Sequence, residues 1–258
     1  MNEVTVQSVI DVLEQYARPA LALPGDPIGL CLGRREAVLG GVAVALDLTS
    51  AVIEKAIAVS AGLIVTHHPP IFQPLAALTA DTPEGENVLT CAENGVALYA
   101  AHTNADACVG GTSDLLAGVL FPDSRGTPLQ AAAAGQAGEG LGRLLAVPGT
   151  TSGRVLERCR EWLQAPFARL HGVPGRTVRR VAVWPGAMDE SVVLAAGEQR
   201  ADVLIAGECK HHLTLQLAER GIDLITAGHD RTEIAFVEHV AALLRARFSG
   251  LAVEAMPD

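Results

Sequence analysis

Short apolar runs, each followed closely by a cluster of polar residues, constrain this chain more than any other feature. Four of them are LIVT before His67, VALYA before His102, DVLIA before Glu208 and DLITA before His229. Segments with helical spacing lie between these runs, and strands that alternate with helices form parallel or mixed sheets with helical crossovers. In open α/β sheets ligands bind beyond the carboxyl ends of the strands, so we expect the four clusters to form one site.

The alternation predicts two αβ domains separated by a middle segment that lacks regular spacing of apolar residues. In the first part, strand candidates at residues 41–46, 63–66 and 96–100 alternate with helices, which are predicted at residues 6–16, from 49 or 50 onward, and at 85–93. After the middle, strands and helices alternate again, up to a last amphipathic helix at residues 232–247. The middle itself, residues 124–142, is rich in Ala, Gly and Gln and is predicted to be a linker or an exposed excursion.

Composition and charge narrow the classes of function. A formal net charge of −10 at pH 7 repels polyanions, which makes nucleic acid an unfavourable partner. No apolar run approaches the roughly 20 residues that cross a bilayer, and Glu3 and Asp11 stand where an export signal carries positive charge. Five cysteines without a CxxC pair indicate reduced thiols. We therefore expect a cytoplasmic protein with no membrane partner.

The dipeptide His67-His68, followed by Pro69 and Pro70, is the sharpest local signal. Neighbouring residues of a strand point to opposite faces, so the two rings converge only if the chain leaves strand geometry here. Pro69 favours that departure, because it keeps the preceding residue extended and cannot donate to a sheet. Each imidazole could then bind a different metal ion. The alternative is a surface loop with two solvated histidines.

Two further pairs join an imidazole to a carboxylate four residues later, namely His102 with Asp106 and His229 with Glu233. In a helix each pair lies on one face, which is a common half-site for a divalent cation. Taken separately, Glu233 is explained equally well as an acid at a helix amino end, and Asp106 as a loop cap. Their coincidence with the histidine dipeptide favours metal binding.

The candidate donors outnumber the ligands of one closed zinc site. They suit two divalent ions about 3.5–4 Å apart, with one carboxylate bridging and water in the open positions. The set contains no thiolate, so zinc, iron or manganese suits it better than copper(I). The predicted metal ligands are His67, His68, Asp106, His229 and Glu233.

Residues 208–212, with the sequence ECKHH, lie at a predicted strand-to-helix turn. They could present Glu208 and a histidine to a substrate, or form an ordinary polar helix start with Cys209 buried. His102 and Glu208 are the candidates for proton transfer. The glycines of GEGLG, residues 138–142, suggest a phosphate-binding turn only superficially, because the preceding strand and acidic partner of a dinucleotide site are missing.

Several blocks of this sequence resemble the NIF-three-like proteins, the NGG-one-interacting factor family, whose members are also described as type-two GTP cyclohydrolase homologues. They occur in the family's order over nearly the whole chain. The blocks are DPIGLCLG, THHPPIF, AHTNAD with GGTSDLL, GEGLGRLL, ADVLIAGECKHH and GHDRTE. The combination of HHP with GHxxTE is the specific part of the pattern.

The resemblance implies a two-domain α/β protein, often a hexameric ring of dimers, with a dinuclear metal site facing an internal cavity. The family's ligands carry over to the five residues predicted above, with Glu233 as the bridge, and His102 matches a family histidine near the metals. The family's last helix rejoins its first domain. This implies a discontinuous domain, residues 1–125 with 227–258, around a second domain, residues 126–226.

Two positions depart from the family pattern. Gly25 replaces the usual Trp before the Asp of the first block, and a Gly-Gly-Ser-Gly-like turn has become Trp184-Pro185-Gly186-Ala187. We expect both changes to alter the rim of the site or a substrate pocket without touching a metal ligand.

Three functions fit these predictions. The first is a metal-dependent hydrolase acting on a small substrate, nucleotide-like or pterin-like, because surplus donors leave room for water. The second is a protein that stores or delivers metal ions without turnover, which would exchange them readily. The third is an interaction scaffold with a structural metal pair, which chelation would unfold.

Overall fold

Two separate sheets, each flanked by helices, make up residues 3–257, the part of the chain that the computed structural model describes. The chain divides into a first unit, up to residue 105 and again from 236 onward, and a second unit, residues 106–235. The predicted fold class, two α/β parts with mixed sheets, is confirmed. The predicted domain boundaries at 125/126 and 226/227 differ from the limits of these units and stay a prediction.

The first unit contains the strands β1 (Gly29–Leu32), β2 (Gly41–Ala45), β3 (Leu63–Thr66), β4 (Ala97–Ala100) and β11 (Ala252–Ala255). Their order across the sheet is β1-β4-β3-β2-β11. All neighbours are parallel except β1, which pairs antiparallel with β4 at one edge. Every residue of β2, β3 and β4 is buried, as expected for parallel strands covered on both faces.

The helices of the first unit are α1 (Val6–Tyr16), a 3₁₀ turn (Pro19–Leu21), α2 (Ser50–Ala58) and α3 (Pro83–Glu93). Two further helices, α4 (Thr103–Ala107) and α10 (Ala235–Arg247), cross the limits of this unit. Helix α2 begins as predicted, because Thr49 Oγ1 accepts a hydrogen bond from the Val52 amide at 3.2 Å. Apolar residues of α2 and α3, including Ile53 and Val88, pack against Ile64 and Leu98 of the sheet.

The second unit contains the strands β5 (Gly126–Ala131), β6 (Gly140–Thr151), β7 (Arg169–His171), β8 (Thr177–Ala187), β9 (Val203–Glu208) and β10 (Asp223–Thr226). Their order is β5-β6-β8-β9-β10-β7. The central strands β8, β9 and β10 are parallel, and the outer pairings are antiparallel. Glu208 is the last residue of β9, and His229 and Glu233 follow β10.

Helices cover both faces of the second sheet. They are α5 (Thr112–Leu120), α6 (Ser152–Trp162), α7 (Glu190–Glu198), α8 (His211–Glu219) and α9 (His229–Glu233). On one face α5 and α6 pack against alternate strand residues such as Val183 and Ile205. On the other face α7 and α8 pack against residues such as Ala182 and Leu204.

Two sequence predictions are wrong. Residues 124–142 are not a linker, because they form β5 and the start of β6, with Gly126 opposite Leu145 and Ala131 opposite Gly140. Their glycines hid the pairing: a Cβ on Gly140 would lie 2.2 Å from the Gln130 carbonyl oxygen, so this strand needs glycine to approach its neighbour. The alternative, an exposed excursion, holds for residues 132–139, which connect the two strands and are largely exposed. The last predicted helix is two helices, since α9 ends at Glu233 and α10 begins at Ala235.

All five cysteines are free thiols. Burial raises the pKa of Cys31 and of Cys91 to about 11 and that of Cys159 to about 12, which keeps these thiols protonated at neutral pH. Within residues 3–257, none of the helices combines the length and the apolar character needed to span a bilayer.

Candidate metal centre

His67 and His68 come directly after β3, and their rings lie side by side with centroids 5.1 Å apart. Their backbone amides continue the pairing of the sheet, to the carbonyl oxygens of Ala45 at 3.2 Å and Leu46 at 3.0 Å. The Thr66 hydroxyl donates to the His68 carbonyl at 2.7 Å and closes a tight turn. The two rings are therefore neighbours, although strict strand alternation would separate them.

The environment of His67 fixes which nitrogen can bind a metal. His67 is fully buried, and its ring packs on Phe236 with centroids 4.7 Å apart. Its Nδ1 lies 2.9 Å from the carbonyl oxygen of Ala101. A carbonyl can only accept, so Nδ1 carries the hydrogen, and in the neutral ring the lone pair is on Nε2.

Carboxylates hold His68 and His102 in the same way. His68 Nδ1 lies 2.8 Å from Asp47 Oδ1, and His102 Nδ1 lies 2.9 Å from Asp26 Oδ1. This arrangement, with Nδ1–H on an oxygen, is typical of histidines that bind a metal through Nε2.

The imidazoles of His67, His68 and His102 form one group. The ring of His102 lies 5.3 Å from that of His67 and 5.6 Å from that of His68. One ring nitrogen from each histidine lies within 4.8 Å of the others, so the group could hold a metal ion. The chemistry of the donors fits a borderline divalent cation such as zinc or iron.

Asp26 is a functional candidate that the sequence alone indicates only as the first residue of the block DPIGLCLG. Its side chain is 5% exposed, and Thr103 donates to it through both the backbone amide and the hydroxyl. Burial acts to raise the pKa of Asp26, but the hydrogen bonds from His102 and Thr103 outweigh burial and hold the pKa below its ordinary value. Asp26 is therefore a carboxylate that fixes His102.

In the second unit, α9 presents His229 and Glu233 one turn apart, as their spacing predicts. His229 Nε2 lies 3.3 Å from Glu233 Oε2. Glu233 is only 3% exposed, so its carboxylate is largely removed from solvent. A buried carboxylate is costly without a cation or hydrogen bonds to compensate it, and an imidazole beside it adds a nitrogen donor.

Glu208 lies at the end of β9, and its Oε1 accepts a hydrogen bond from His229 Nδ1 at 3.0 Å. This contact makes Glu208 an orienting partner of His229, while its predicted part in proton transfer stays a prediction. His211 and His212 of the same cluster begin α8 and are exposed. Cys209 is half-buried, and its Sγ lies 3.6 Å from Thr214 Oγ1.

The turn at the end of β8 lies against these side chains, so the prediction that it touches no proposed ligand is wrong. The backbone amide of Gly186 donates to Thr232 Oγ1 at 3.0 Å. A Cβ on Gly186 would lie 2.3 Å from Glu233 Oε1 and 3.0 Å from His229 Nε2. Gly186 also has a φ of +68°, which L side chains rarely adopt. Glycine is therefore required here.

Asp106 lies in α4 and is half-buried, at the start of the second unit. The turn after it is held by Asp114, whose Oδ2 accepts from the Gly110 amide at 2.7 Å. Arg143, which is 1% exposed, binds the same oxygen at 2.8 Å and the Cys108 carbonyl at 3.4 Å. The GEGLGR block thus supplies a buried arginine that supports the α4–α5 turn.

Fold and side chains together define an α/β protein with histidine and carboxylate groups that could hold metal ions. The family Duf34/NIF3 (NGG1p interacting factor 3) matches residues 4–257. The chain belongs to this family, as the resemblance of its sequence blocks predicts.

Individual relatives agree with that membership. A "GTP cyclohydrolase 1 type 2 homolog" of Streptomyces coelicolor is 31% identical over 245 residues, 93% of this chain and 85% of that protein. A protein of the same name from Bacillus subtilis is 42% identical over 119 residues, 46% of this chain but only 32% of that protein. The crystal structure of a Bacillus cereus protein related to NIF3 superimposes with a TM-score of 0.89 at 22% identity, covering 99% of this chain and 97% of that one. That likeness concerns the fold.

Proposed function

We propose that this protein is a metal-dependent hydrolase that binds two divalent ions. The proposed ions are zinc, iron or manganese, because imidazole and carboxylate donors suit all three. Glu233 is the proposed bridge between them. The full set of proposed ligands is His67, His68, Asp106, His229 and Glu233.

One observation carries the proposal. The Nδ1 atoms of His67, His68 and His229 each lie 2.8–3.0 Å from an oxygen acceptor. At His67 and His68 the oxygen places the hydrogen on Nδ1, which makes Nε2 the nitrogen that would bind a metal, and solvated histidines would have no reason to share this feature. His229 lies between two carboxylates, with its Nε2 3.3 Å from Glu233 Oε2. The buried carboxylate of Glu233 adds a negative charge that a cation would compensate.

When bound, two divalent ions supply Lewis-acid polarisation of water and of the substrate. His102 is suited to accept a proton at Nε2, because Asp26 holds its Nδ1–H and stabilises the imidazolium that results. Glu208 is the second candidate for proton transfer. The names of the relatives support a small substrate, nucleotide-like or pterin-like.

We also propose that the protein acts as a homohexamer in the cytoplasm. The family resemblance supports the assembly, and five free thiols suit a reducing compartment. Native mass spectrometry of the full chain should give six copies. A monomer at micromolar concentration would contradict this assignment without affecting the metal site.

The metal assignment is tested by elemental analysis of anaerobically purified protein. We expect two ions per chain in the wild type, fewer than one in Glu233→Gln, and one or fewer in His67→Ala. His212→Gln removes an exposed histidine of α8 and should retain both ions. Equal metal content in all four proteins would contradict the ligand set.

Turnover is tested with metal-loaded protein on nucleotide and pterin substrates. The variant His102→Gln should keep its metal content and lose hydrolysis, since it removes the proposed proton acceptor. If no substrate is hydrolysed and the ions pass quickly to a chelator, the protein stores or delivers metal. If chelation unfolds the protein and no substrate is hydrolysed, the metal pair is structural.

A further inference from the structure

A cavity of about 450 Å³ lies at the carboxyl ends of the parallel strands β9 and β10 in the second unit. Phe167, Arg169, His171, His211 and Gly228 contribute to its walls. Small-molecule sites in proteins typically measure about 300–1,000 Å³, and open α/β sheets bind ligands beyond these strand ends. Size and position therefore both suit a small substrate.

One wall of the cavity carries a permanent cation, Arg169, beside two imidazoles. Arg169 and His171 are two residues apart on β7 and so project to the same face of the sheet. Burial lowers the pKa of His171, and the nearby charges of Arg169 and His211 lower it further, so this imidazole is neutral at neutral pH. A neutral imidazole can donate one hydrogen bond to an anion that the guanidinium attracts.

Phe167 supplies a flat apolar surface on the same cavity. Its side chain is 59% exposed, although a phenylalanine is usually buried. A Cβ on Gly228 would lie 2.8 Å from Phe167 Cε2, so the ring rests on the Gly228 backbone and is held in place. An exposed aromatic ring beside a guanidinium can stack on a planar heterocycle.

The cavity borders the proposed metal ligands of the second unit. Gly228 directly precedes His229. Among the described residues that line the cavity, Glu208 carries the only carboxylate, and it accepts a hydrogen bond from His229. A molecule bound here would thus lie next to the side chains assigned to metal binding.

We propose that this cavity binds a phosphate ester of a planar heterocycle, with Phe167 against the ring and Arg169, His171 and His211 around the phosphate. Arginine suits this role because its guanidinium donates two parallel hydrogen bonds to phosphate oxygens. That the bound molecule is the substrate rests on the proposed hydrolase function. The binding itself does not.

Calorimetric titration of the full chain with guanosine 5′-monophosphate, guanosine and inorganic phosphate tests the proposal. We expect the nucleotide to bind at least about tenfold more tightly than either fragment, since stacking and charge pairing act together. The variants Phe167→Leu and Arg169→Gln should each weaken nucleotide binding about tenfold. Arg169→Lys keeps the charge and should weaken it less.

A matched control is Arg154→Gln, which removes the same charge from an exposed arginine of α6 on a different cavity of the same unit. It should bind the nucleotide as the wild type does. Equal weakening by this control, or inorganic phosphate binding as tightly as the nucleotide, would overturn the proposal. Thermal unfolding of each variant identifies any that fails to fold.

Metal content measured on the same samples separates this proposal from the hydrolase proposal. If the wild type holds two ions but the cavity variants bind the nucleotide normally, the cavity assignment is wrong and the metal assignment stands. If the wild type holds no metal but Phe167→Leu and Arg169→Gln still weaken nucleotide binding, the cavity assignment stands. The hydrolase proposal then fails, because it requires two bound ions.

Discussion

The histidines of the two units are held by different kinds of partner. In the first unit, His67 is fully buried and bonded to a backbone carbonyl, and the Asp26 carboxylate behind His102 is 5% exposed. In the second unit, the side chain of His229 is 36% exposed, and that of its partner Glu208 is 63% exposed. His67 and His102 are thus fixed by the core, whereas His229 is held by a solvated carboxylate.

This difference predicts different behaviour without metal. Water competes with a hydrogen bond between exposed groups, so such a contact contributes little to a fixed geometry. A buried bond has no competing water, and breaking it leaves an unsatisfied polar group. We therefore infer that the imidazoles of His67 and His102 keep their orientation without a cation. In the second unit, the rigid element is the backbone around Gly186.

The largest effect is expected from Gly186→Ala. The new methyl group would overlap Glu233 Oε1, and the backbone φ of +68° costs an L residue about 1–2 kcal/mol. We expect the free energy of unfolding to fall by at least that amount and the metal content to drop. Chemical denaturation and elemental analysis measure both.

Gly149→Ala is the control for this substitution, because nothing lies within 4 Å of the added Cβ. It should leave both the metal content and the stability near those of the wild type. Normal metal content in Gly186→Ala would mean that the backbone at the end of β8 does not constrain Glu233.

The next effect in size is expected from Asp26→Asn. Asp26 accepts from His102 through one oxygen and from the Thr103 amide through the other, but asparagine has one acceptor oxygen. If that oxygen stays on Thr103, the amide nitrogen faces His102 and forces its proton from Nδ1 to Nε2. Nitrogen NMR of the histidine ring measures the tautomer directly.

Loss of such an orienting carboxylate typically lowers metal affinity or activity about 10–100-fold. Because His102 is the proposed proton acceptor, we expect a loss of hydrolysis in this range with the metal content unchanged. The comparison variant is Asp47→Asn, because Asp47 also accepts from a histidine but its side chain is 51% exposed. It should lose less. Equal losses would remove burial as the distinction between these partners.

The sequence predicted the central strands well. Continuous apolar runs identified β2, β3, β4, β9 and β10, because a strand buried on both faces must be apolar throughout. The edge strands β1 and β7 were not predicted, because every residue of β1 is only half-buried and β7 has only three residues. What defines such a strand is its neighbour, which lies elsewhere in the chain.

The partners that orient the histidines could not be predicted for a related reason. Asp26 lies 76 residues from His102, Ala101 lies 34 residues from His67, and Asp47 lies 21 residues from His68. These contacts arise where strand ends meet, so they depend on the order of strands in the sheet. Local spacing reveals a pair such as His229 and Glu233 only because both stand on one helix.

A smaller effect is expected from Glu208→Gln. The glutamine oxygen can still accept from His229 Nδ1, and the contact is exposed, so we expect metal affinity to change about threefold or less. Competition with a fluorescent chelator measures that affinity. A loss of metal affinity of about tenfold or more would mean that the exposed partner of His229 orients its ligand as firmly as a buried partner does, which would break the contrast between the units.

The smallest effect concerns acid stability without metal. The pKa of Asp26 in the folded protein lies below its ordinary value of 3.8, so its ionised form stabilises the fold. That stabilisation is fully present above the unfolded pKa and is lost as the pH falls through the folded pKa. Denaturation of metal-free wild type and Asp26→Asn should give a constant stability difference above about pH 5, which shrinks below pH 3.8. A difference that stays constant down to about pH 2.5 would show that the ionisation of Asp26 does not contribute to the rigidity of the first unit.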